Sequence, residues 1–479
     1  MVQFLLLSRT QKKIFLTGAL LMAFQIFVYA QCSLTGWKKV AQGENFTVGL
    51  KDDGSLWLWG YNNYGLSGNG TGQYTEIKHP WQMAEVGGGW TDVEAGRAFI
   101  LAKKANGDLY GWGANDYGQL GTGDKNNVFS PKLIMQNIKA FSAGYLHTML
   151  IKNDGTMWGS GNNGYWGGLG IGTGGQSTYT TFQQESTKAT NWSSVTATYY
   201  NSFGIKTNGS LWVVGTNVEG QTGLGEPATI GNYTFAFTQL GTDTDWKSVV
   251  GGFYHTLALK TNGELWSWGH NNNGRLGIGT VGGIKYIPQQ VAGNNWSSIG
   301  ATNEASSAIK SDGSLWSWGY NAYGKLGIGS TTDANIPTRV GTENNWNLIP
   351  ARSGENSSAA LKTDTTIWSW GWDGYWQLGN GDGTSTNSSV PTQVTCKDLL
   401  AVNESNGAKQ VSIYPNPAKD FVVLQSSKAI AEVKIYNTAG SLIKTISKVS
   451  DNKINISDLA SGVYVVKIND SESIKLIKK

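Results

Sequence analysis

One aromatic and glycine-rich segment recurs along the central part of the chain. It reads GELWSWGHNNNGRLGIGT over residues 263–280, and related segments lie before and after it. The other copies start at Gly54, Gly107, Gly155, Gly209, Gly313 and Thr365. Seven tandem copies at a period of about 50 residues indicate a repeat architecture, such as a solenoid, a propeller or an array. Each copy is therefore expected to be one structural unit.

Each copy predicts a tight β-hairpin followed by a strand. An Asx-Gly pair opens six copies, as in Asn262-Gly263, and such pairs supply the positive φ angles of a type I′ turn. The strand that follows carries large aromatic residues two positions apart, such as Trp266 and Trp268. Residues two apart on a strand share one face, so these pairs should pack against a neighbouring sheet.

Further patterns complete a unit of four short strands, which we name A, B, C and D in chain order. Upstream of the hairpin, a segment that starts at a Trp precedes a short apolar strand ending in Lys, as at Trp37 and Lys51. Downstream, a Pro-x-x-apolar segment such as that from Pro288 to Val291 closes several units. Helical periodicity is absent from these units. Seven four-stranded units predict an all-β, seven-bladed β-propeller.

The repeat resembles that of the regulator of chromosome condensation family. The resemblance is carried by A-G-x-x-H-T, then G-x-L-W-x-W-G-x-N-x-x-G-x-L-G-x-G, then P-x-x-V, with the best matches at residues 143–172 and 252–291. It covers about residues 37–394 and implies a seven-bladed propeller. The family's His position is kept only at His147 and His255, so we expect these two residues to be structural.

The N-terminal segment has the features of a secretory signal peptide. Lys12 and Lys13 precede an apolar run over residues 14–29, and a small residue, Ala30, stands at the predicted cleavage position. The alternative is a membrane anchor, but a span needs roughly 20 apolar residues and this run is shorter. We expect residues 1–30 to be removed on export, which leaves no integral membrane segment.

The composition changes after the last repeat. Residues 397–410 lack Trp and are predicted to form a linker, and residues 411–479 contain short alternating strands with Gly turns. That pattern predicts a small β-sandwich. The segment resembles the type A C-terminal sorting domain of the type IX secretion system of Bacteroidota. The residues that carry this resemblance are 414–417 (YPNP), 433–437 (VKIYN) with Gly440, and 459–464 (LASGVY).

This second resemblance implies that the C-terminal domain is an address, recognised by the type IX secretion machinery and normally cleaved after export. An ordinary adhesion module is the alternative. The predicted order is a signal peptide (1–30), a propeller (31–396), a linker (397–410) and a sorting domain (411–479). The expected location is the cell surface or the surrounding medium.

The sequence carries no motif for catalysis or for a bound cofactor. The four His and two Cys are not clustered at metal-ligand spacing, and neither a G-x-S-x-G elbow nor a phosphate-binding loop occurs. We therefore predict no catalytic residue, no metal site and no cofactor. A formal net charge of +4, without a Lys/Arg cluster in the repeats, argues against nucleic acid as a partner.

The most suggestive surface lies at one end of the predicted propeller. Strands A and C run one way and strands B and D the other, so the A–B and C–D loops share that end. The C–D loops carry aromatic residues beside Asn and Gly, which suits the binding of sugars or peptides. The candidate ligand-binding residues are Tyr61, Tyr64, Tyr117, Tyr165, Trp166, Tyr320, Tyr323, Trp372, Tyr375 and Trp376. For each ring singly, packing between blades is the alternative.

The two Cys residues bracket the repeats. Cys32 lies shortly before Trp37 of the first unit, and Cys396 lies shortly after Val394 of the seventh. A bridge between them would join the last blade to the first over a length close to an ordinary connection between blades. Export permits disulfides. Two unrelated thiols are the alternative, and we predict the Cys32–Cys396 disulfide.

Two functions from different classes fit these features. The first is an exported, non-catalytic and monomeric propeller that acts as a binding scaffold for an extracellular protein or glycan ligand. The second is an exported propeller enzyme that acts on polysaccharide, with an active site assembled from loops of separate blades. An aromatic rim without convergent carboxylates would favour the first function, and convergent carboxylates at one rim would favour the second.

Overall fold

A computed structural model describes residues 33–479 except 84–85, 165–166, 175–177, 228–230, 382–384, 397–410, 427–429, 438–441, 448–451 and 470–471. The predicted signal peptide, Cys32 and the predicted linker lie outside the described residues. The chain divides into two compact units, one over Cys32–Lys397 and one that contains the C-terminal strands.

The larger unit consists of seven antiparallel four-stranded sheets, each built from four consecutive strands. The all-β propeller predicted from the repeats is therefore confirmed. Blade 1 contains β1 (Trp37–Gln42), β2 (Phe46–Lys51), β3 (Leu56–Asn62) and β4 (Thr75–Gln82). Blade 2 contains β5 (Trp90–Ala95), β6 (Phe99–Lys104), β7 (Leu109–Gly113) and β8 (Val128–Met135). Blade 3 contains β9 (Ile138–Ala143), β10 (His147–Lys152), β11 (Met157–Asn162) and β12 (Thr178–Gln184).

The remaining four blades follow the same order. Blade 4 contains β13 (Trp192–Ala197), β14 (Ser202–Lys206), β15 (Leu211–Thr216) and β16 (Tyr233–Gln239). Blade 5 contains β17 (Trp246–Gly251), β18 (His255–Lys260), β19 (Leu265–His270) and β20 (Ile284–Gln290). Blade 6 contains β21 (Trp296–Ala301), β22 (Ala305–Lys310), β23 (Leu315–Gly319) and β24 (Ala334–Arg339). Blade 7 contains β25 (Trp346–Leu348), β26 (Ser357–Lys362), β27 (Ile367–Gly371) and β28 (Ser388–Gln393). Short 3-10 turns occur at Asn272–Gly274 and Ala322–Gly324 in the C–D loops of blades 5 and 6.

The repeated Trp and Lys residues form one packing unit in blades 1, 4, 5, 6 and 7, as blade 6 illustrates. Trp296 of strand A lies 6.2 Å, centroid to centroid, from both Trp316 and Trp318 of strand C. Lys310, which ends strand B, places its ammonium 4.8 Å from the Trp296 ring and 4.5 Å from the Trp316 ring. The repeated Lys is thus a cation–π partner of two rings.

The second Trp of strand C joins adjacent blades, as predicted for rings two positions apart. In blades 2, 5 and 7 its indole nitrogen donates to a main-chain carbonyl in the C–D loop of the preceding blade. Trp268 donates to the oxygen of Gln221 at 2.8 Å, and Trp370 donates to the oxygen of Lys325 at 2.9 Å. A buried indole is satisfied in this way while its ring fills the space between two sheets.

The repeated Asn after strand C is architectural, as the sequence suggested. The Asn271 side-chain oxygen accepts from the Leu276 amide at 3.1 Å, and its nitrogen donates to the Thr280 carbonyl at 3.0 Å. Asn321 repeats both bonds with Leu326 and Ser330. One side chain therefore fixes the first half of each C–D loop.

The ring closes between the last blade and the first without exchange of a strand. The Trp37 amide donates to the Thr365 carbonyl at 3.2 Å, and the Thr47 hydroxyl donates to the Gln377 carbonyl at 3.0 Å. Trp37 also shares a buried cluster with Ile367 of strand C in blade 7. Strand A of blade 1 therefore packs beside blade 7, as ring closure requires.

The two retained His residues are buried between blades. Nε2 of His147 lies 3.0 Å from the Ser202 hydroxyl, and Nε2 of His255 lies 2.9 Å from the Ser306 hydroxyl. Burial lowers the pKa of His147 to about 4, with a smaller contribution from Arg352. Both imidazoles are neutral at physiological pH, in keeping with a structural role.

The C-terminal unit is a small β-sandwich, as predicted. One sheet contains β29 (Val411–Tyr414), β30 (Phe421–Ser426) and β33 (Lys453–Asn455). The other contains β31 (Glu432–Asn437), β32 (Leu442–Ser447), β34 (Gly462–Ile468) and β35 (Glu472–Lys478). Val422, Leu424, Val433, Ile435 and Val466 belong to the core that the two sheets share. Within the described residues, no helix has the length and apolar character needed to cross a membrane.

Candidate ligand-binding site

The A–B loops form an inner rim at one end of the propeller. Strands A are innermost, because those of adjacent blades contact one another: the Lys39 ammonium lies 2.8 Å from Asp92 and 2.6 Å from Glu94. At the far end of these strands, the Glu44 amide donates to the Arg97 carbonyl of the next A–B loop at 3.0 Å. C–D loops flank this inner rim.

A cavity of about 180 Å³ opens at this end between blades 7, 1 and 2. We call it the tyrosine pocket, and it is lined by Glu44, Asn45, Phe46, Tyr61, Asn63, Tyr64, Leu66, Arg97, Ala98 and Tyr375. Three of the predicted ligand-binding residues, Tyr61, Tyr64 and Tyr375, therefore meet in one site. They come from the C–D loops of blades 1 and 7, which are neighbours only because the ring closes.

The tyrosine pocket combines aromatic rings with an ion pair. The Tyr61 and Tyr375 ring centroids are 4.7 Å apart, and the Asn63 amide nitrogen lies 3.3 Å from the Tyr61 hydroxyl. Nε of Arg97 lies 2.7 Å from a Glu44 carboxylate oxygen. Both charged side chains are partly exposed, so they offer donors and acceptors while their charges cancel. The pocket is thus suited to an uncharged polar or aromatic group.

The other predicted residues have different surroundings. Trp372 lies 5.4 Å from Tyr375, and Tyr323 lies 6.2 Å from Trp372, so these two rings extend the aromatic surface beyond the pocket. Tyr320 lies 4.7 Å from the Lys325 ammonium, and Tyr117 does not line the tyrosine pocket. Tyr165 and Trp166 lie outside the described residues.

Trp376 does not fit its predicted place on the binding surface. Its ring is only 7% exposed, and the Lys78 ammonium lies 4.1 Å from the ring centroid. Its backbone has a φ of 63°, at the position where blades 5 and 6 have Gly274 and Gly324. Burial makes Trp376 a packing residue of blade 7, so we leave it out of the candidate site.

The sequence-based selection missed aromatic residues on the A–B loops. Tyr145 and Tyr199 stack with centroids 4.4 Å apart, Tyr199 lies 4.5 Å from Phe253, and Phe253 lies 4.4 Å from Tyr254. We call these four residues the aromatic rim. Tyr199 is only 3% exposed and is its packing residue, so the partly exposed Tyr145, Phe253 and Tyr254 supply the surface of the rim. Tyr145, Tyr199 and Phe253 follow the Gly or Thr that ends the Trp-initiated pattern of each unit, and that position was the available signal.

A charged side chain crosses the mouth of the ring beside the aromatic rim. Arg352 belongs to blade 7, yet its Nη1 donates to the carbonyl of Gly144 in blade 3 at 3.1 Å. These blades are not neighbours in the ring, so the contact spans the central opening. The guanidinium carbon lies 5.4 Å from the Tyr145 centroid and 5.0 Å from the Tyr199 centroid.

This end of the propeller has the chemistry of a binding surface. Among the described residues, no group of three or more His, Cys, Asp or Glu side chains could hold a metal ion. Burial raises the pKa of Tyr145 to about 12, so its hydroxyl stays protonated at physiological pH. The fold and this surface together define a seven-bladed repeat propeller with an aromatic loop face.

Comparison with protein families identifies this propeller. Models of the regulator of chromosome condensation (RCC1) repeat match residues 106–151, 262–308, 312–361 and 364–412, and a second model of that repeat matches 37–66, 90–119, 138–165 and 246–275. The chain belongs to the regulator of chromosome condensation repeat family. A secretion system C-terminal sorting domain matches residues 412–479, which marks the protein as exported by the type IX system to the cell surface or the medium.

Individual relatives share parts of the chain. The ultraviolet-B receptor UVR8 of Arabidopsis thaliana is 27% identical over 252 residues, which are 50% of this chain and 54% of the receptor. The human E3 ubiquitin-protein ligase HERC2 is 32% identical over 136 residues, which are 27% of this chain and 3% of the ligase. The chain thus spans about half of the receptor and a small part of the ligase.

Solved structures show the same fold. Prp20p from Saccharomyces cerevisiae superposes with a TM-score of 0.63 at 17% identity, over 81% of this chain and 90% of that protein. Human WBSCR16 superposes with a TM-score of 0.61 at 20% identity, over 71% of this chain and 94% of that protein. At these identities the similarity concerns architecture alone.

Proposed function

We propose that this exported propeller is a non-catalytic binding scaffold whose ligand, a protein or a glycan, docks on the end formed by the A–B and C–D loops. The observation that carries the proposal is the tyrosine pocket. It brings Tyr61, Tyr64 and Tyr375 together with the Glu44–Arg97 pair. Partly buried rings beside a few polar groups are the usual composition of a ligand site.

The alternative function, cleavage of polysaccharide, needs different chemistry. Glycoside hydrolysis uses two carboxylates that flank the scissile bond. Glu44 is the one carboxylate among the described residues that line the tyrosine pocket, and its partner is Arg97 at 2.7 Å. A single carboxylate cannot fill both of the roles that this reaction needs. The pocket therefore supports binding better than hydrolysis.

The relatives of this chain do not decide between the two functions. The relatives include a receptor, UVR8, and a ligase, HERC2, of which this chain covers a small part. A shared propeller does not transfer a partner or an activity. For this protein, the proposal thus rests on the tyrosine pocket.

The experiment applies the purified exported protein to a glycan array and a peptide array, with an assay for sugar release from polysaccharides beside them. We expect binding to at least one array and no sugar release. Sugar release that Glu44→Gln abolishes would establish the enzyme instead. A protein that binds neither array nor any folded partner would contradict the scaffold.

A further inference from the structure

The tyrosine pocket and the aromatic rim are joined into one surface by Arg97. This side chain lines the pocket, and its guanidinium carbon lies 5.3 Å from the ring centroid of Tyr145. The buried Tyr199 contacts both Tyr145 and Phe253. Phe253 contacts Tyr254, so the aromatic rim continues to these two residues. The joined surface therefore includes loops of blades 7, 1, 2, 3 and 5.

The charges of this face of the propeller are mostly paired. Arg97 forms its ion pair with Glu44 at 2.7 Å, and in blade 5 Nη2 of Arg275 lies 3.2 Å from the carboxylate of Glu304. Arg352 donates to a neutral carbonyl across the mouth of the ring. A face without a large net field does not select a polyanion or a strongly acidic partner.

The rings of the aromatic rim are held against one another. Tyr145 has the ring of Tyr199 at 4.4 Å and the guanidinium carbons of Arg97 and Arg352 at 5.3 and 5.4 Å. A sugar that stacks on an aromatic residue needs a free ring face, and these contacts occupy much of the Tyr145 ring. Rings fixed in this way instead offer a preorganised contact surface, which lowers the entropy cost of association.

The residue types of the joined surface match those of protein interfaces. Tyr, Trp and Arg are the residues enriched at the centres of such interfaces and among their hot spots. Loops that mix Tyr with Asn, Gly and Ser are also typical of antibody paratopes, where Tyr supplies rigid contact area. The C–D loop of blade 1, NYGLSGNGTGQY over residues 63–74, has this composition.

We propose that the tyrosine pocket and the aromatic rim together bind a folded extracellular protein, which presents an uncharged patch and inserts one side chain into the tyrosine pocket. The proposal rests on the proposed function and names the class of its ligand. The pocket, at about 180 Å³, accommodates one side chain, and the aromatic rim covers the adjacent part of the partner.

The test uses the full exported chain, immobilised on a sensor surface. The probes are the culture medium and the outer-membrane fraction of the organism that produces the protein. Each probe is applied untreated, after digestion with proteinase K, and after oxidation with sodium periodate, which destroys the vicinal diols of glycans. Phe253→Ala and Tyr375→Ala report on the two halves of the surface. Ile287→Ala, at a residue 57% exposed on strand D of blade 5, is the control.

We expect a binding signal that proteinase K removes and periodate leaves. Phe253→Ala and Tyr375→Ala should each weaken it by about tenfold or more, as hot-spot residues do, and Ile287→Ala should leave it unchanged. An increase in NaCl should change the affinity by less than about threefold, because the charges are paired. If Phe253→Ala unfolds the protein, Phe253→Asn replaces it, since blade 6 has Asn303 at that position.

Three other results would overturn the inference in distinguishable ways. A signal that survives proteinase K but is lost after periodate would identify a glycan ligand, so that the scaffold stands and the protein partner fails. No signal from either probe would contradict the scaffold and the partner together. A protein-dependent signal that Ile287→Ala weakens as much as Phe253→Ala would place the interface elsewhere.

Discussion

Asp373 differs from the residues at the same position of the other six blades, which are all Asn. Its Oδ1 accepts from the Leu378 amide at 2.9 Å, as an Asn oxygen does in the other blades. Its Oδ2 is buried and has no hydrogen-bond partner in the described part of the chain. Burial raises the pKa of Asp373 to about 6. The carboxylate is therefore poorly solvated where an amide would be satisfied.

Replacement of this carboxyl should stabilise the propeller. Because the pKa of Asp373 is about 6 in the folded protein and about 3.9 when unfolded, the folded state holds more protons between these values. The free energy of unfolding thus falls as pH rises from about 4 to about 6. At pH values above 6, Asp373→Asn should raise the free energy of unfolding by on the order of 1–3 kcal/mol. The substitution should also remove this pH dependence. Urea denaturation at pH 4.5 and pH 7.5 checks both effects.

Replacement by Ala should have a large effect on stability at Trp376 and a small effect at Tyr323. Trp376 is 7% exposed, so Trp376→Ala should lower the free energy of unfolding by about 3–5 kcal/mol, as cavity formation does. Tyr323 is 46% exposed, and Tyr323→Ala should change it by less than about 1 kcal/mol. Urea titration of both variants measures the difference. Equal losses would show that exposure does not separate packing rings from surface rings.

The structural roles predicted from the sequence agree best with the structure at positions where most blades carry the same residue. The Asn after strand C and the Trp pairs could be assigned to structure because six copies repeat the Asn and four repeat the pair. Tyr145 and Phe253 were not selected, because the A–B loops are short and the residue after the Gly or Thr changes from blade to blade. Tyr61, Tyr64 and Tyr375 were predicted from the sequence as ligand-binding residues. Their proximity in one pocket depends on contact between the first and last blades.

Strand A of blade 7 is shorter than the other A strands, and the segment after it places Arg352 at the mouth of the ring. β25 ends at Leu348, whereas the corresponding strands of the other blades continue for three further residues. Pro350 follows shortly, and it lacks the amide that a paired strand needs. The chain then pairs with blade 6, where the Ser353 amide donates to the Ala301 carbonyl at 2.8 Å. Arg352 thereby reaches across to blade 3.

Arg352 should therefore stabilise the ring beyond its own blade. Arg352→Ala removes a charged donor from the carbonyl of Gly144, and we expect a loss of about 1–3 kcal/mol in the free energy of unfolding. Arg352→Lys should recover part of the loss. Arg339→Ala, at an exposed guanidinium in blade 6, is the matched control and should cost less than about 0.5 kcal/mol. An Arg352→Ala protein as stable as the control would contradict this role.

At the scale of the whole molecule, closure of the ring contributes to stability and brings together the residues of the tyrosine pocket. The number of blades followed from the count of repeats, and the closing contacts are main-chain and core contacts between Trp37 and residues of blade 7. The position of the tyrosine pocket could not be predicted, because the residues from blade 7 and blade 1 that form it are far apart in the chain. Sequence periodicity identifies the residues that the blades have in common, whereas the candidate site also depends on residues that differ between blades.

The predicted Cys32–Cys396 disulfide would lock this closure. Cys32 lies outside the described residues, and the described part of the chain contains no free cysteine. Reduction of the exported protein should lower the free energy of unfolding by at most about 6 kcal/mol, the chain-entropy value for a loop of this length. Cys396→Ser should reproduce the effect and make the protein insensitive to reductant. Peptide mapping without reductant should recover the linked pair, and two alkylated thiols would contradict it.

The most direct test of the account compares the same substitution inside and outside the tyrosine pocket. The affinity for the ligand identified on the arrays or sensor is measured by calorimetry for Tyr64→Ala and for Tyr117→Ala. These residues occupy the same position in the C–D loops of blades 1 and 2, but Tyr64 alone of the two lines the pocket. We expect Tyr64→Ala to weaken binding by about tenfold or more and Tyr117→Ala to leave it unchanged. Equal affinities of the two variants would contradict this prediction.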